Sequence, residues 1–122
     1  MIKLLLVDDQ PSVLQGLRMQ FALEPDFDVI GEAADGAEAV RMAHALHPDV
    51  IVMDARMPIM DGIQATAMLR QDTPDIRVVI LSLHDDAHTR ALARSAGAAA
   101  FVAKHEPSEV LFAAVRGASV SC

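Results

Sequence analysis

Asp8 and Asp9 stand side by side where an apolar run, Leu4-Leu5-Leu6-Val7, stops, and a third carboxylate, Asp54, follows a second apolar run at 49–53. Ser82 closes a β-branched run at 76–82, and Lys104 follows another at 99–103. Singly, each is an ordinary strand-end or surface residue. Together they place three carboxylates, a hydroxyl and an ammonium at the ends of four apolar runs. Carboxylates about 4 Å apart repel by roughly 4 kcal/mol at an effective dielectric near 20, so such a set shifts its pKa values or holds a cation. An oxygen-only set with one or two carboxylates suits Mg²⁺, which keeps several waters and leaves room for a phosphate. No His/Cys cluster argues for zinc, and the lone His84 nearby reads as a solvated loop residue. With the cation in place, one carboxylate can attack phosphorus as a nucleophile. The cation would then bridge nucleophile and phosphoryl oxygens, while Lys104 neutralises another oxygen.

That chemistry requires the four runs to end on one rim. The apolar period alternates along the chain between strand-like and helical. Residues 2–7, 27–33, 49–53, 76–82 and 99–103 read as strands. Between and after them, helices are expected over 11–23 (opened by Pro11), 37–46, about 63–71, a stretch capped by Asp85 or Asp86 and stopped by Gly97, and 107–117. Five strands alternating with five helices imply βαβ units, a parallel sheet and right-handed crossovers. The central strands read apolar on both faces, as helices on both sides require. In a doubly wound sheet of this kind the ligand sits beyond the C-terminal strand ends, where the strand order reverses.

Composition bounds the function. At 122 residues, 52% apolar, without Trp or Tyr and with four Phe, one domain with an aliphatic core is expected. A net charge of −7 disfavours direct nucleic-acid binding by this chain, which needs a basic face. One cysteine, Cys122, allows no internal disulfide and fits a reducing compartment. No run approaches the ~18 residues of a membrane span, and the N-terminus is a poor signal peptide. A cytoplasmic location is expected, with no membrane partner.

"LLLVDDQ", "DVIVMDARMPIMDG", "VVILS" and "AFVAK" together resemble the response-regulator receiver domain, the CheY-like phosphoacceptor of two-component signalling. The resemblance covers essentially the whole chain, 1–122. "LHDD" and "KHEPSEVLFAAV" are most similar to regulators of the NarL/FixJ type. The resemblance implies an α/β, flavodoxin/CheY-like fold: a doubly wound five-stranded parallel sheet in strand order 2-1-3-4-5 with five helices. By position, it implies phosphorylation of Asp54 by a sensor histidine kinase with Mg²⁺. Asp9 would ligate the metal directly, Asp8 through water, with Asp54 and the Arg56 backbone carbonyl as further ligands. Lys104 would contact the phosphoryl group, and Ser82 and Phe101 would form the switch pair. Arg56 and His84 would tune the phosphoryl lifetime. NarL/FixJ-type regulators usually carry a C-terminal helix-turn-helix domain, so DNA binding would belong to a segment outside this chain. There are two departures: His105 follows Lys104 where many receivers have proline, and Leu83 is bulkier than the small residue often found after the switch position.

Other classes fit less well. A haloacid-dehalogenase-type phosphatase wants a second Asp two residues after the nucleophile as general acid, and Arg56 stands there. A nucleotide-binding Rossmann module wants G-x-G-x-x-G after the first strand, which is missing. A phosphorylation-independent interaction module would not need Asp8, Asp9, Asp54, Ser82 and Lys104 together. The chain is therefore read as a phosphoacceptor rather than an enzyme, promoting its own phosphotransfer and autodephosphorylation. In the last helix, Leu111, Ala114, Val115 and Ala118 share the stripe expected to be buried, with Phe112 and Arg116 off it. An aromatic off the stripe suggests a contact surface, for a homodimer or for another docking partner.

Overall fold

The computed structural model describes residues 1–120. Cys122 lies outside the described residues. In chain order the elements are β1 (Ile2–Val7), α1 (Pro11–Ala22), β2 (Phe27–Ala33), α2 (Gly36–Leu46), β3 (Val50–Met53), α3 (Gly62–Asp72), β4 (Arg77–Ser82), α4 (Ala87–Ala96), β5 (Ala100–Ala103) and α5 (Ser108–Ser119). The strands form one sheet, all parallel, in order β2-β1-β3-β4-β5. The expected strands and helices are therefore present, with ends displaced by at most about two residues, as frayed termini allow.

The sheet is buried on both faces, and the strand period of two divides its side chains. Leu4, Leu6, Val50, Val52, Val79 and Leu81 pack against Leu14, Leu17 and Phe21 of α1 and Leu111, Val115 and Ala118 of α5. Leu5, Val7, Ile51, Met53, Val78 and Ile80 face the other way, onto Ala39 and Ala43 of α2, Ala65 and Leu69 of α3 and Ala93 of α4. Every apolar position in β1, β3 and β4 thus has a helix over it, which is why these runs show no polar alternation.

Local signals set the helix ends. Asp35 and Asp61 accept hydrogen bonds from the N–H groups of Glu38 and Gln64, and the Asp61 N–H donates in turn to the Gln64 side-chain oxygen, completing a capping box. Of the two candidates for α4, Asp86 is the cap: its carboxylate takes both the N–H and the hydroxyl of Thr89. Gly97 ends α4 at φ 103°, in the left-handed region that suits glycine. Pro107 sits just before α5 rather than inside it.

Phe112, off the buried stripe of α5, is half-buried among other aromatic rings. Its ring centroid lies 5.2 Å from that of Phe21 and 5.7 Å from that of Phe27. Arg116 covers the cluster, 4.8 Å from the Phe27 centroid, and donates to Asp26 and Glu24. The α1–β2 turn thus meets α5 through Arg116, and Phe112 has aromatic partners within its own chain.

Candidate functional site

Parallel pairing carries the site residues to one rim. β1 lies between β2 and β3, so the reversal of strand order falls between β1 and β3, where Asp8 and Asp54 emerge. The ladder continues one residue beyond each strand. Asp8 N–H donates to Ala33 O at 3.1 Å, Asp54 N–H to Val7 O at 3.0 Å, and Lys104 N–H to Ser82 O at 2.9 Å. Backbone hydrogen bonds therefore fix the Cα positions of Asp8, Asp54 and Lys104 before their side chains interact.

The side chains then converge. Asp8, Asp9 and Asp54 offer carboxylate oxygens that all lie within 4.8 Å of one another. Asp8 and Asp54 are buried and Asp9 is exposed. Lys104 Nζ stands 2.8 Å from Asp8 Oδ2 and 3.4 Å from Asp54 Oδ2. The remaining Asp8 oxygen accepts from Gln10 N–H at 2.9 Å, while the Arg56 N–H approaches Asp54 Oδ1 at 3.5 Å, longer than a good hydrogen bond. Asp8 is the better satisfied acid, and Asp54 is held more loosely.

The electrostatics match. Burial pushes the Asp54 pKa up and the Asp8 charge adds to the rise, against the opposing pull of Lys104. For Lys104, burial disfavours the charged form, yet the hydrogen bond to Asp8 and the Asp54 charge outweigh it and hold the ammonium above its ordinary value. One ammonium faces three carboxylates, so the cluster keeps an excess of negative charge. Its donor set is all oxygen and includes an exposed acid, which fits a hard divalent cation.

Ser82 is fully buried, and its Oγ accepts from the His84 N–H at 3.0 Å. Its hydroxyl contacts its own loop rather than the acids. Phe101 is half-buried on β5, paired with Ile80. Arg56 and His84 are both exposed, and Leu83 is 66% exposed, so its bulk lies outside the acid cluster. Asp86, beyond His84, has a lowered pKa, chiefly through hydrogen bonds from Thr89, with a smaller contribution from the Arg56 charge. No peptide bond among the described residues is cis, including the one from Lys104 to His105.

Three features of the site escaped sequence reasoning. A Cβ on Gly62 would lie 1.9 Å from the Asp54 carbonyl oxygen, and one on Gly36 would lie 2.5 Å from the Met60 carbonyl oxygen. Ile59 adopts φ 71° at the centre of a tight turn in which Met60 N–H donates to Pro58 O at 2.8 Å. All three shape the loop that carries Asp54 into α3. The "DG" pairs at 35–36 and 61–62 and Pro58 mark turns in the chain, but not the close approaches that the turns require.

The family model described as the response regulator receiver domain matches residues 4–116. The chain belongs to the response-regulator receiver family. This receiver is 40% identical over 119 residues to the transcriptional regulatory protein LiaR of Bacillus subtilis (strain 168), covering 98% of this chain and 56% of that protein. Among solved structures, it is similar to a two-component response regulator of the LuxR family from Aurantimonas sp. SI85-9A1, at 34% identity and a TM-score of 0.93, covering 98% and 85% of the two chains. The signal receiver domain of NarL from Mycobacterium tuberculosis is also similar, at 34% identity and a TM-score of 0.91, covering 98% of each chain. These likenesses agree with the NarL/FixJ character expected of the motifs. The receiver spans about half the length of the curated relatives it matches. No helix among the described residues is long and apolar enough to cross a membrane.

Proposed function

We propose that this receiver accepts a phosphoryl group on Asp54 from the phosphohistidine of a sensor kinase, and that the modification switches an output, transcription being the output its relatives' names support. The observation that carries the reading is the buried pair Asp8 and Asp54 sharing one ammonium, with Asp9 completing an oxygen cluster. Of the buried pair, Asp54 is the acid for the chemistry because its internal hydrogen bonds are weaker than those of Asp8. An Asp54 oxygen forms the new bond to phosphorus as the phosphorus–nitrogen bond of the donor imidazole breaks, and the electron pair leaves on nitrogen, which takes up a proton. Lys104 neutralises one phosphoryl oxygen, and in doing so loosens its hold on Asp54.

Asp9 and Asp54, the Arg56 carbonyl, and Asp8 through water are the groups that would hold Mg²⁺, which when bound supplies the positive charge that offsets the dianion. The chain's own residues do the rest. Asp8 fixes Lys104, and Gln10 N–H fixes Asp8. Ser82 turns its hydroxyl from the His84 N–H to a phosphoryl oxygen, and Phe101 follows. A phosphate adds about −1.5 to −2 charges and three acceptor oxygens, enough to bias a two-state element. Arg56 and His84, exposed at the mouth, set how readily water attacks the acyl phosphate. A cytoplasmic setting follows from the kinase partnership, and DNA contact would belong to a segment outside this chain.

Intact mass after incubation with acetyl phosphate tests the reading. The parent should gain one phosphate with Mg²⁺ and none after chelation, and Asp54→Asn should gain none. Undiminished labelling of Asp54→Asn would sink it.

A further inference from the structure

Arg90, near the start of α4, makes two contacts at once. Its Nε donates to the Asp85 carbonyl at 3.0 Å, and its guanidinium carbon lies 4.6 Å from the centroid of the Phe101 ring. One residue before Asp85, the same loop is pinned to the site, where His84 N–H donates to Ser82 Oγ at 3.0 Å. The start of α4 is anchored independently, because the Asp86 carboxylate holds Thr89 through its N–H and its hydroxyl. The stretch 83–85 is therefore the part of the connection that can move without unwinding the helix.

Phe101 needs such a partner. It carries no hydroxyl through which a hydrogen bond could fix its rotamer. Packing on the core holds only part of the ring: a cavity of about 300 Å³ opens beside it, with Ala93, Arg94, Ala98, Ala99 and Ala100 on its walls. A guanidinium lying over the ring face supplies the missing restraint, through the attraction between a cation and the negative face of the π system.

We infer that Arg90 is a positioning residue that couples the Ser82 hydroxyl to the Phe101 ring, by way of the Asp85 carbonyl. The inference rests on the phosphoacceptor reading above. While the His84 N–H holds Ser82 Oγ, the Asp85 carbonyl keeps the guanidinium over the ring, and Phe101 stays in its half-exposed position. When Ser82 turns toward a phosphoryl oxygen, it gives up the His84 N–H. The loop relaxes, the Asp85 carbonyl withdraws, and the guanidinium loses the bond that aims it. Phe101 is then released. Arg90 touches neither the acids nor Lys104, so it affects the balance between the two positions without taking part in the phosphoryl chemistry.

The test uses the aromatic NMR signals of the four phenylalanines in a chain without Trp or Tyr. Parent, Arg90→Ala and Arg90→Lys are titrated with beryllofluoride in Mg²⁺ while the Phe101 ring signals are followed. In Arg90→Ala, the unliganded Phe101 signals should move toward the beryllofluoride-bound position. The apparent affinity for beryllofluoride should rise roughly two- to fivefold, since removing the restraint favours the competent state. A residue that merely supported the fold would lower that affinity when removed. Arg90→Lys keeps a cation able to reach the ring, but its single ammonium lacks the planar fork that stacks on the ring while Nε bonds the Asp85 carbonyl, so it should shift the signals in the same direction as Arg90→Ala by a smaller amount. Parent-like behaviour of Arg90→Lys would overturn the coupling through Asp85, and parent-like behaviour of Arg90→Ala would overturn any role for the contact. If the parent's Phe101 signals ignore beryllofluoride, the switch reading beneath the inference fails, and the inference with it.

Discussion

A single methyl group added at Gly62 should disable the site without altering any side chain in it. The ideal Cβ would stand 1.9 Å from the carbonyl oxygen of Asp54, 2.9 Å from its carbonyl carbon and 3.2 Å from Ala55 Cα. All three neighbours are backbone, so no rotamer change relieves the clash. Restoring ordinary contact means moving the Asp54–Ala55 peptide by about 1.5 Å against the start of α3. The peptides on either side of it are tied, by Asp54 N–H to Val7 O and Gly62 N–H to Ala55 O, each at 3.0 Å. Overpacking of this kind costs about 1–3 kcal/mol, and clashes confined to backbone belong at the upper end. Alanine recovers up to about 1 kcal/mol of helix propensity. The net expectation is a loss of about 2 kcal/mol in urea unfolding, together with a fall in the acetyl phosphate labelling rate of about 10²-fold, because a 1 Å displacement of a reacting group has that effect. Gly16→Ala in α1 is the control. Its Cβ meets nothing within 4 Å, so it should stabilise by about 0.5–1 kcal/mol and label normally. A Gly62→Ala protein that unfolds with the parent and labels within twofold of it would refute the argument from close approach.

In the metal-free protein, burial first and then the Asp8 charge raise the Asp54 pKa, so the ionised group destabilises the fold. The contribution of Asp54 to stability is greatest below its ordinary value of 3.8 and is lost as pH rises through the raised folded value. Asp54→Asn should therefore be more stable than the parent at pH 7 in chelator, with the advantage vanishing near pH 4; a mutant less stable at pH 7 would contradict this. Phe112→Ala should lower urea stability by about 2 kcal/mol, below the ~3–5 kcal/mol of a fully buried aromatic because the ring is only half-buried, and should leave the sedimentation coefficient unchanged. An altered association state at parental stability would support the contact-surface role instead. Arg56→Ala and His84→Ala should load phosphate as the parent does but change its decay by up to about tenfold, equivalent to about 1.4 kcal/mol in the barrier; unchanged decay in both would remove their tuning role.

The strands, helices and acidic site were largely legible in one dimension, because each depends on local chemistry or on a simple rule of sheet geometry. Leu4 to Val7 and Val50 to Met53 read as buried strands from their lack of polar alternation. Asp8, Asp54, Ser82 and Lys104 could be placed together because parallel strands deliver their C-terminal ends to one rim, whatever the details of packing. Cap residues could be proposed from type alone. Choosing Asp86 over Asp85 needed the backbone conformation that turns one carboxylate onto Thr89 and leaves the neighbour's carbonyl to Arg90.

What the residues in line could not supply were contacts whose partners lie far apart in the chain and whose meeting depends on layer spacing and loop path. Phe112 reads as a surface aromatic on α5 until Phe21 and Phe27, about ninety residues earlier, close over it. Gly62 reads as a turn residue until α3 is laid against the Asp54 carbonyl, because the need there is for space rather than for a positive φ. Lys104 could be expected among the acids, but its closer approach to Asp8, which leaves Asp54 the looser carboxylate, is a difference of 0.6 Å between 2.8 and 3.4 Å. Types and periods along the chain determine which groups reach the rim. The few tenths of an ångström that decide which acid is tied and which is free come only from packing the five strands against two layers of helices.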